Sequence, residues 1–160
     1  MEFSEYVAIR RARLVRSAVL LGCPEADAED VVQTALSRAL RAWRKVQRAD
    51  SPDAYMQRIL LNTLRDTRRR RWSGEIPTET LPDGGSPDDT QRQTDGVAVR
   101  QALAAMSSEH REVLVLRFYA DLSERDTALA LGLAPGTVKS RTSRALTALA
   151  ATLDVTRSAR

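Results

Sequence analysis

The feature that most constrains this chain is a break in its middle. From Ser73 to Asp95 a single arginine, Arg92, stands against six carboxylates, with Gly74, Pro77, Pro82, Gly84, Gly85 and Pro87 spaced among them. Hardly any large apolar residue lies there, so burial cannot offset the entropy of ordering the backbone. The composition predicts a disordered acidic tether over residues 73–95. The flanks have the opposite sign: net charge is +6 over residues 1–72 and +3 over residues 96–160. Aromatic residues make up only 4% of the chain against 42% hydrophobic residues overall. Any core must therefore be built from Leu, Ala and Val, which favours helices over sheets. The predicted fold class is all-α, with two small helical domains, 1–72 and 96–160, joined by a flexible acidic linker.

Several function classes fall away on composition. The one cysteine, Cys23, permits no internal disulfide. No apolar run approaches the roughly 18 residues of a membrane span. Over residues 1–22, Arg10, Arg11, Arg13 and Arg16 interrupt the apolar positions instead of preceding them, unlike a signal peptide. The expectation is a cytoplasmic protein with no membrane partner. A lone histidine, His110, beside a lone cysteine gives no His/Cys metal cluster and little for nucleophilic catalysis. No catalytic residue, metal or cofactor is expected, and the chain does not read as an enzyme. Asp27, Glu29 and Asp30 raise a metal-dependent hydrolase as an alternative. Only Asp27 and Asp30 share a helix face, however, and carboxylates at the positive end of a helix dipole explain them without chemistry.

The first module reads as at least three helices. Phe3, Val7, Leu14, Ala18 and Leu21 recur at helical spacing until Gly22-Cys23-Pro24 stops the run. A second helix begins near Glu25 with the apolar stripe Val32, Ala35/Leu36, Ala39/Leu40 and Trp43. Ser51-Pro52 then supplies an N-cap followed by proline at the first helical position. The third helix is expected to turn Tyr55, Ile59, Leu60 and Leu64 inward and to end in Arg68-Arg69-Arg70-Arg71. That run is either phosphate-binding or simply a set of cations favouring a helix C-terminus.

The second module opens with a helix through Val99, Leu103 and Met106, followed by another from about Ser108 to Tyr119. Ser123 can cap a short helix, with Asp126 placed to return the bond. Gly132 can end it in the left-handed conformation. A new helix starts at Pro135. Helix, glycine turn and a second helix with a basic front form a helix-turn-helix layout, whose second helix enters the DNA major groove. Val138, Thr142, Ala145 and Leu149 fall on its inward face. Lys139, Ser140, Ser143 and Arg144 fall on the adjoining polar face near its N-terminus, where base edges are reached. A generic helical hairpin with a solvated face is the bland alternative.

With these residues in view, the chain is similar to a known family. Gly136-Thr137-Val138-Lys139-Ser140-Arg141, followed by Arg144-Ala145, resembles the recognition helix of extracytoplasmic-function (ECF) sigma factors. Ala28-Glu29-Asp30-Val31-Val32-Gln33 through Arg41-Ala42-Trp43 resembles the polymerase-binding helix of sigma region two. Tyr55 through Arg58-Ile59 to Asn62, then Asp66, resembles its promoter-reading helix, and Arg111 to Arg117 the lead-in to region four. The resemblance covers nearly the whole chain and is nearest to the short actinobacterial SigE type. Departures are Tyr55 where Trp is common, and Asp126 and Thr127 where Glu and Ile are more usual.

The resemblance implies that core RNA polymerase and promoter DNA are the partners, and it admits an anti-sigma factor. Polymerase binding would fall to Asp30, Gln33, Arg38 and Arg41. Reading of the downstream (minus-ten) element would fall to Tyr55, Arg58, Asn62, Arg65, Asp66 and Arg69. Reading of the upstream (minus-thirty-five) element would fall to Thr137, Lys139, Ser140, Arg141, Ser143 and Arg144. The loop Val46 to Ser51 is the expected cradle for a base lifted from the stack, which costs a few kcal/mol. The tether, by its charge, is expected to lie in the channel that later carries RNA, so reversing Asp83, Asp88 and Asp89 to Lys should impair initiation. A stand-alone DNA-binding regulator, with residues 1–72 as sensor or dimerisation domain, is the competing reading. It differs in requiring tight DNA binding without polymerase.

Overall fold

The computed structural model describes residues 1–72 and 91–158, and within them only helices occur. The first module holds α1 (Phe3–Leu20), α2 (Glu25–Arg41), α3 (Trp43–Arg48) and α4 (Pro52–Trp72). The second holds α5 (Gln91–Ala105), α6 (Ser108–Leu114) running into a π-helical turn (Val115–Tyr119), α7 (Glu124–Leu131) and α8 (Pro135–Ser158). Most of the expected acidic tether, residues 73–90 with Asp83, Asp88 and Asp89, lies outside the described residues. Its last five residues do not belong to a tether, because α5 already begins at Gln91.

The helix ends follow the local chemistry. Gly22 takes φ +102° after α1, and the Cys23 and Gly22 amides donate to the Ala18 and Val19 carbonyls at 3.0 Å each. This paired cap satisfies two carbonyls that the helix leaves open. The Ser51 hydroxyl accepts from the Ala54 amide at 3.1 Å, fixing the start of α4. Ser107 and Ser123 cap α6 and α7 in the same way, and Gly132 (φ +68°) ends α7. Asp126 supplies its amide to Ser123.

Three expectations of the first module need correction. The chain does not run as a loop from Val46: Val46 is fully buried within the short helix α3, so the open connection is only Ala49 to Ser51. On α4 the inward face is Met56, Leu60, Leu61 and Leu64, whereas Tyr55 and Ile59 stand to its side, half-buried. Likewise Leu40, expected in the α2 stripe, is 54% exposed. The stripe on α2 narrows to Val31, Val32, Ala35, Leu36 and Ala39, whose small side chains let α1 and α4 approach closely. Phe3 and Tyr6 pack on Trp43 with ring centroids 5.3 and 5.2 Å apart, closing the far end.

The two modules share one apolar core. Leu21 of the first and Leu103, Met106, Val113, Leu116 and Leu122 of the second belong to a single buried cluster. α7 packs across α4, and α1 meets α5 and the π-helical turn. At the seam the Leu21 carbonyl accepts from Arg68 at 2.8 Å and from Arg111 at 3.3 Å. A carbonyl at the end of α1 carries the negative end of that helix dipole, so cations suit it.

Candidate nucleic-acid interface

The exposed polar face of the second module is set by what α8 buries. Val138 and Ala145 are fully buried and Thr142 and Leu149 half-buried, as their periodicity predicts. That packing, against α6 and α7, fixes the rotation of α8 about its axis. Lys139, Ser140, Ser143 and Arg144 are consequently all exposed. Thr137 is half-buried in the first turn, where its carbonyl accepts from the Ser140 hydroxyl at 3.1 Å. Arg141 leans back toward α6 and comes within 3.9 Å of Glu109. Four of the six predicted upstream-element residues thus form an open, cationic and hydroxyl-bearing front. Arg and Lys donors suit guanine acceptors or phosphates, and Ser suits either.

The predicted downstream-element residues lie along α4. Tyr55, Arg58, Asn62, Arg65 and Arg69 follow one another at intervals of three or four, a stripe about 21 Å long at 1.5 Å per residue. Tyr55, Arg58, Ile59 and Asn62 form one wall of a groove of about 350 Å³, with Ala49, Asp50 and Ser51 at its end. A groove of that size and a wall carrying an amide, a guanidinium and a phenol can hold a planar heterocycle. Its remaining wall comes from the other module, through Leu129 of α7. Leu129, 49% exposed, was not foreseen from the sequence, because only the docking of α7 on α4 brings it here. One turn further on, Arg65 donates to both carboxylate oxygens of Glu112 at 3.2 Å.

Asp66 stands apart from that stripe. Its carboxylate accepts from Arg38 at 2.9 Å and from Arg69 at 3.5 Å, while Arg38 also donates to the Thr63 hydroxyl at 3.2 Å. Arg38, expected on the polymerase-facing side of α2, therefore ties α2 to α4. The other three of that set, Asp30, Gln33 and Arg41, are exposed. Leu40 lies seven residues from Gln33 and so on nearly the same side of the helix, adding an apolar centre to this polar face.

The arginine run at the end of α4 resolves residue by residue. Arg68 reaches the Leu21 carbonyl and Arg71 pairs with Asp27, so both brace α4 against the first two helices. Arg69 keeps an exposed side chain beside Asp66. Arg111 is the most heavily used cation of the seam: it donates to Leu103, Ala104 and Met106 as well as Leu21. Burial, and secondarily the nearby Arg68, lowers its pKa from the ordinary value. Burial likewise raises the Cys23 thiol to about 11. No group of three or more metal-ligating side chains occurs among the described residues, and no described helix is long and apolar enough to cross a membrane.

Comparison with known proteins gives this geometry its context. The Sigma-70 region 2 family model matches residues 8–74, and the Sigma-70, region 4 model matches residues 96–149. Over 149 residues the chain is 39% identical to the RNA polymerase sigma-E factor of Streptomyces coelicolor, covering 93% of this chain and 84% of that protein. It is 35% identical to the ECF RNA polymerase sigma factor SigL of Mycobacterium tuberculosis, covering 94% and 86% of the two chains. The sigma factor RpoE solved in complex with the anti-sigma factor NepR from Bartonella quintana matches with a TM-score of 0.79 at 26% identity, over 96% of this chain and 97% of that one.

Proposed function

The chain belongs to the sigma-70 family as an ECF RNA polymerase sigma factor of the SigE type, and from that premise we propose how its residues share the work. The second module reads the upstream promoter element through Lys139, Ser140, Ser143 and Arg144. The first module reads the downstream element through the α4 stripe, with Asn62 suited to a two-point grip on adenine and Arg58 and Arg65 to guanine or phosphate. The groove beside Tyr55 holds a base drawn out of the stack. Asp30, Gln33, Leu40 and Arg41 present the polymerase-facing side of α2. The chain carries no chemistry of its own: it lends promoter choice to the cytoplasmic core polymerase. An anti-sigma factor, such as the one held by the Bartonella relative, is a further partner.

The observation that carries the reading is the fixed rotation of α8, which buries Val138 and Ala145 and leaves four donor-bearing side chains outward. Chain length is compatible with reading two elements about 70 Å apart on one duplex. Eighteen residues separate α4 from α5, and covalent geometry lets them span at most about 60–65 Å. The modules' own breadth supplies the rest, so the joined elements cannot lie much further apart. Run-off transcription with core polymerase and a promoter library tests the assignment. Asn62→Ala should relax selection at downstream positions only, and Arg144→Ala at upstream positions only. Loss of selection at the opposite element in either variant contradicts the division of labour.

A further inference from the structure

We infer that Glu109 is a positioning residue for the recognition helix: it draws Arg141 back from the duplex and so holds down the sequence-independent part of upstream-element binding. The proposal rests on the assignment of α8 as the upstream reader made above. The first turns of α8 carry the cations Lys139, Arg141 and Arg144, and they are not equivalent. Lys139 and Arg144 are exposed and have no ion-pair partner among the described residues. The Arg141 side chain, by contrast, is only 20% exposed and lies 3.9 Å from Glu109. That carboxylate has to come from α6, because α8 itself carries none before Asp154.

Helical spacing sets Arg141 one turn from both Thr137 and Arg144, at the margin of the reading face. A side chain at the margin of a helix seated in the major groove meets the phosphate backbone, whose contacts carry no sequence information. Extended outward, Arg141 is therefore a phosphate contact. Glu109 opposes that contact in two ways. It attracts the guanidinium toward α6, and with its own side chain 69% exposed it sets a negative charge beside the incoming phosphate. At 3.9 Å the pair makes no direct hydrogen bond, so charge alone holds Arg141 back and a phosphate can take the place of Glu109. An ion pair this open shifts an equilibrium by no more than about fivefold. Glu109 thus lowers affinity for any duplex, matched or not, and leaves discrimination to Lys139, Ser140, Ser143 and Arg144.

A double-mutant cycle on the full chain tests this, by fluorescence anisotropy of a labelled random-sequence duplex titrated from about 50 to 200 mM salt. Glu109→Gln should bind about three- to fivefold tighter than wild type at the low-salt end. Its salt slope should steepen by about 0.9, the counterion release of one added phosphate contact. In an Arg141→Met background, which keeps the apolar stem, the same substitution should gain under about twofold and steepen nothing. Thermal melts by circular dichroism establish that each variant is folded, and Arg141→Gln takes the place of Arg141→Met if the methionine variant melts below the assay temperature. A mere helix-end role for Glu109 in the first turn of α6 would move the melting temperature and no salt slope. A gain of equal size with and without Arg141 is general charge repulsion and overturns the proposal, as does an unchanged slope in Glu109→Gln. Both results leave the α8 assignment standing. Arg144→Ala that fails to weaken duplex binding in wild-type and Glu109→Gln backgrounds alike instead removes that assignment, and the proposal with it.

Discussion

Replacing Arg111 with methionine keeps most of the side-chain bulk and removes the guanidinium that stitches the seam. Four carbonyls lose a donor: Leu103 at 2.8 Å, Met106 at 2.9 Å, Ala104 at 3.2 Å and Leu21 at 3.3 Å. They do not count equally. Leu21 keeps Arg68, and Ala104 is exposed, so its carbonyl regains water. The Leu103 carbonyl still accepts from the Met106 amide at 3.2 Å, so only the buried Met106 carbonyl is orphaned. At about 1–3 kcal/mol for one unsatisfied buried acceptor, the cost is about 1–3 kcal/mol. The relief of a buried cation facing Arg68 keeps the figure at that level instead of the sum of four bonds. Urea denaturation followed by circular dichroism should show this loss, and the melting temperature should fall by about 2–10 °C. Arg68→Met alone should cost under about 1 kcal/mol, because Arg111 still serves Leu21. The double variant should then exceed the sum of the two, since only there is the Leu21 carbonyl orphaned. A loss below about 0.5 kcal/mol for Arg111→Met, or strict additivity of the pair, refutes this account of the seam.

Three further outcomes follow from particular residues. Lys139→Ala and Arg144→Ala should each weaken holoenzyme binding to upstream-element duplex and lower its salt dependence by roughly one unit of slope per lost phosphate contact; an unchanged slope in both would place their donors on base edges instead. Gly132→Ala meets no neighbour within 4 Å, so its cost is the left-handed backbone alone, about 1–2 kcal/mol by thermal melt; a neutral result would show that the turn relaxes. Burial and Asp27 raise the Cys23 thiol to about 11 and burial raises the Tyr6 hydroxyl to about 12, from 9.0 and 10.0. Both groups favour the folded state fully below their unfolded values, and that contribution drains away as pH rises between about 9 and 12. Melting temperature should therefore fall across that window, and maleimide labelling of native Cys23 at pH 8 should be far slower than in urea.

Much of the fold was legible because its signals are local. Glycine, proline and serine punctuation placed the ends of α1, α4, α7 and α8, and the spacing of Val138, Thr142, Ala145 and Leu149 gave the rotation of the recognition helix. What escaped was set by contacts between distant segments. Periodicity could not tell which side of α4 would face the core, because Tyr55 and Ile59 are as apolar as Met56 and Leu61; the docking of α2 and α7 decides it. Leu40 reads as a core residue until the narrow Val31 to Ala39 stripe is seen to be sufficient. The partnership of Arg38 with Asp66 joins residues 28 apart in sequence, one expected to face polymerase and the other DNA. Leu129 and Glu112 entered the site only through the packing of one module on the other, which opposite charges at three separated points permit and no single motif announces.

The most direct test of the central claim is gel filtration of the purified chain with core RNA polymerase, followed by run-off transcription from the eluted fractions. The chain should elute with core in equal amounts, and those fractions alone should start transcripts at promoters bearing both elements. The chain by itself should hold duplex promoter DNA only weakly. A chain that elutes apart from core while binding duplex promoter DNA tightly would contradict the account and identify a stand-alone regulator.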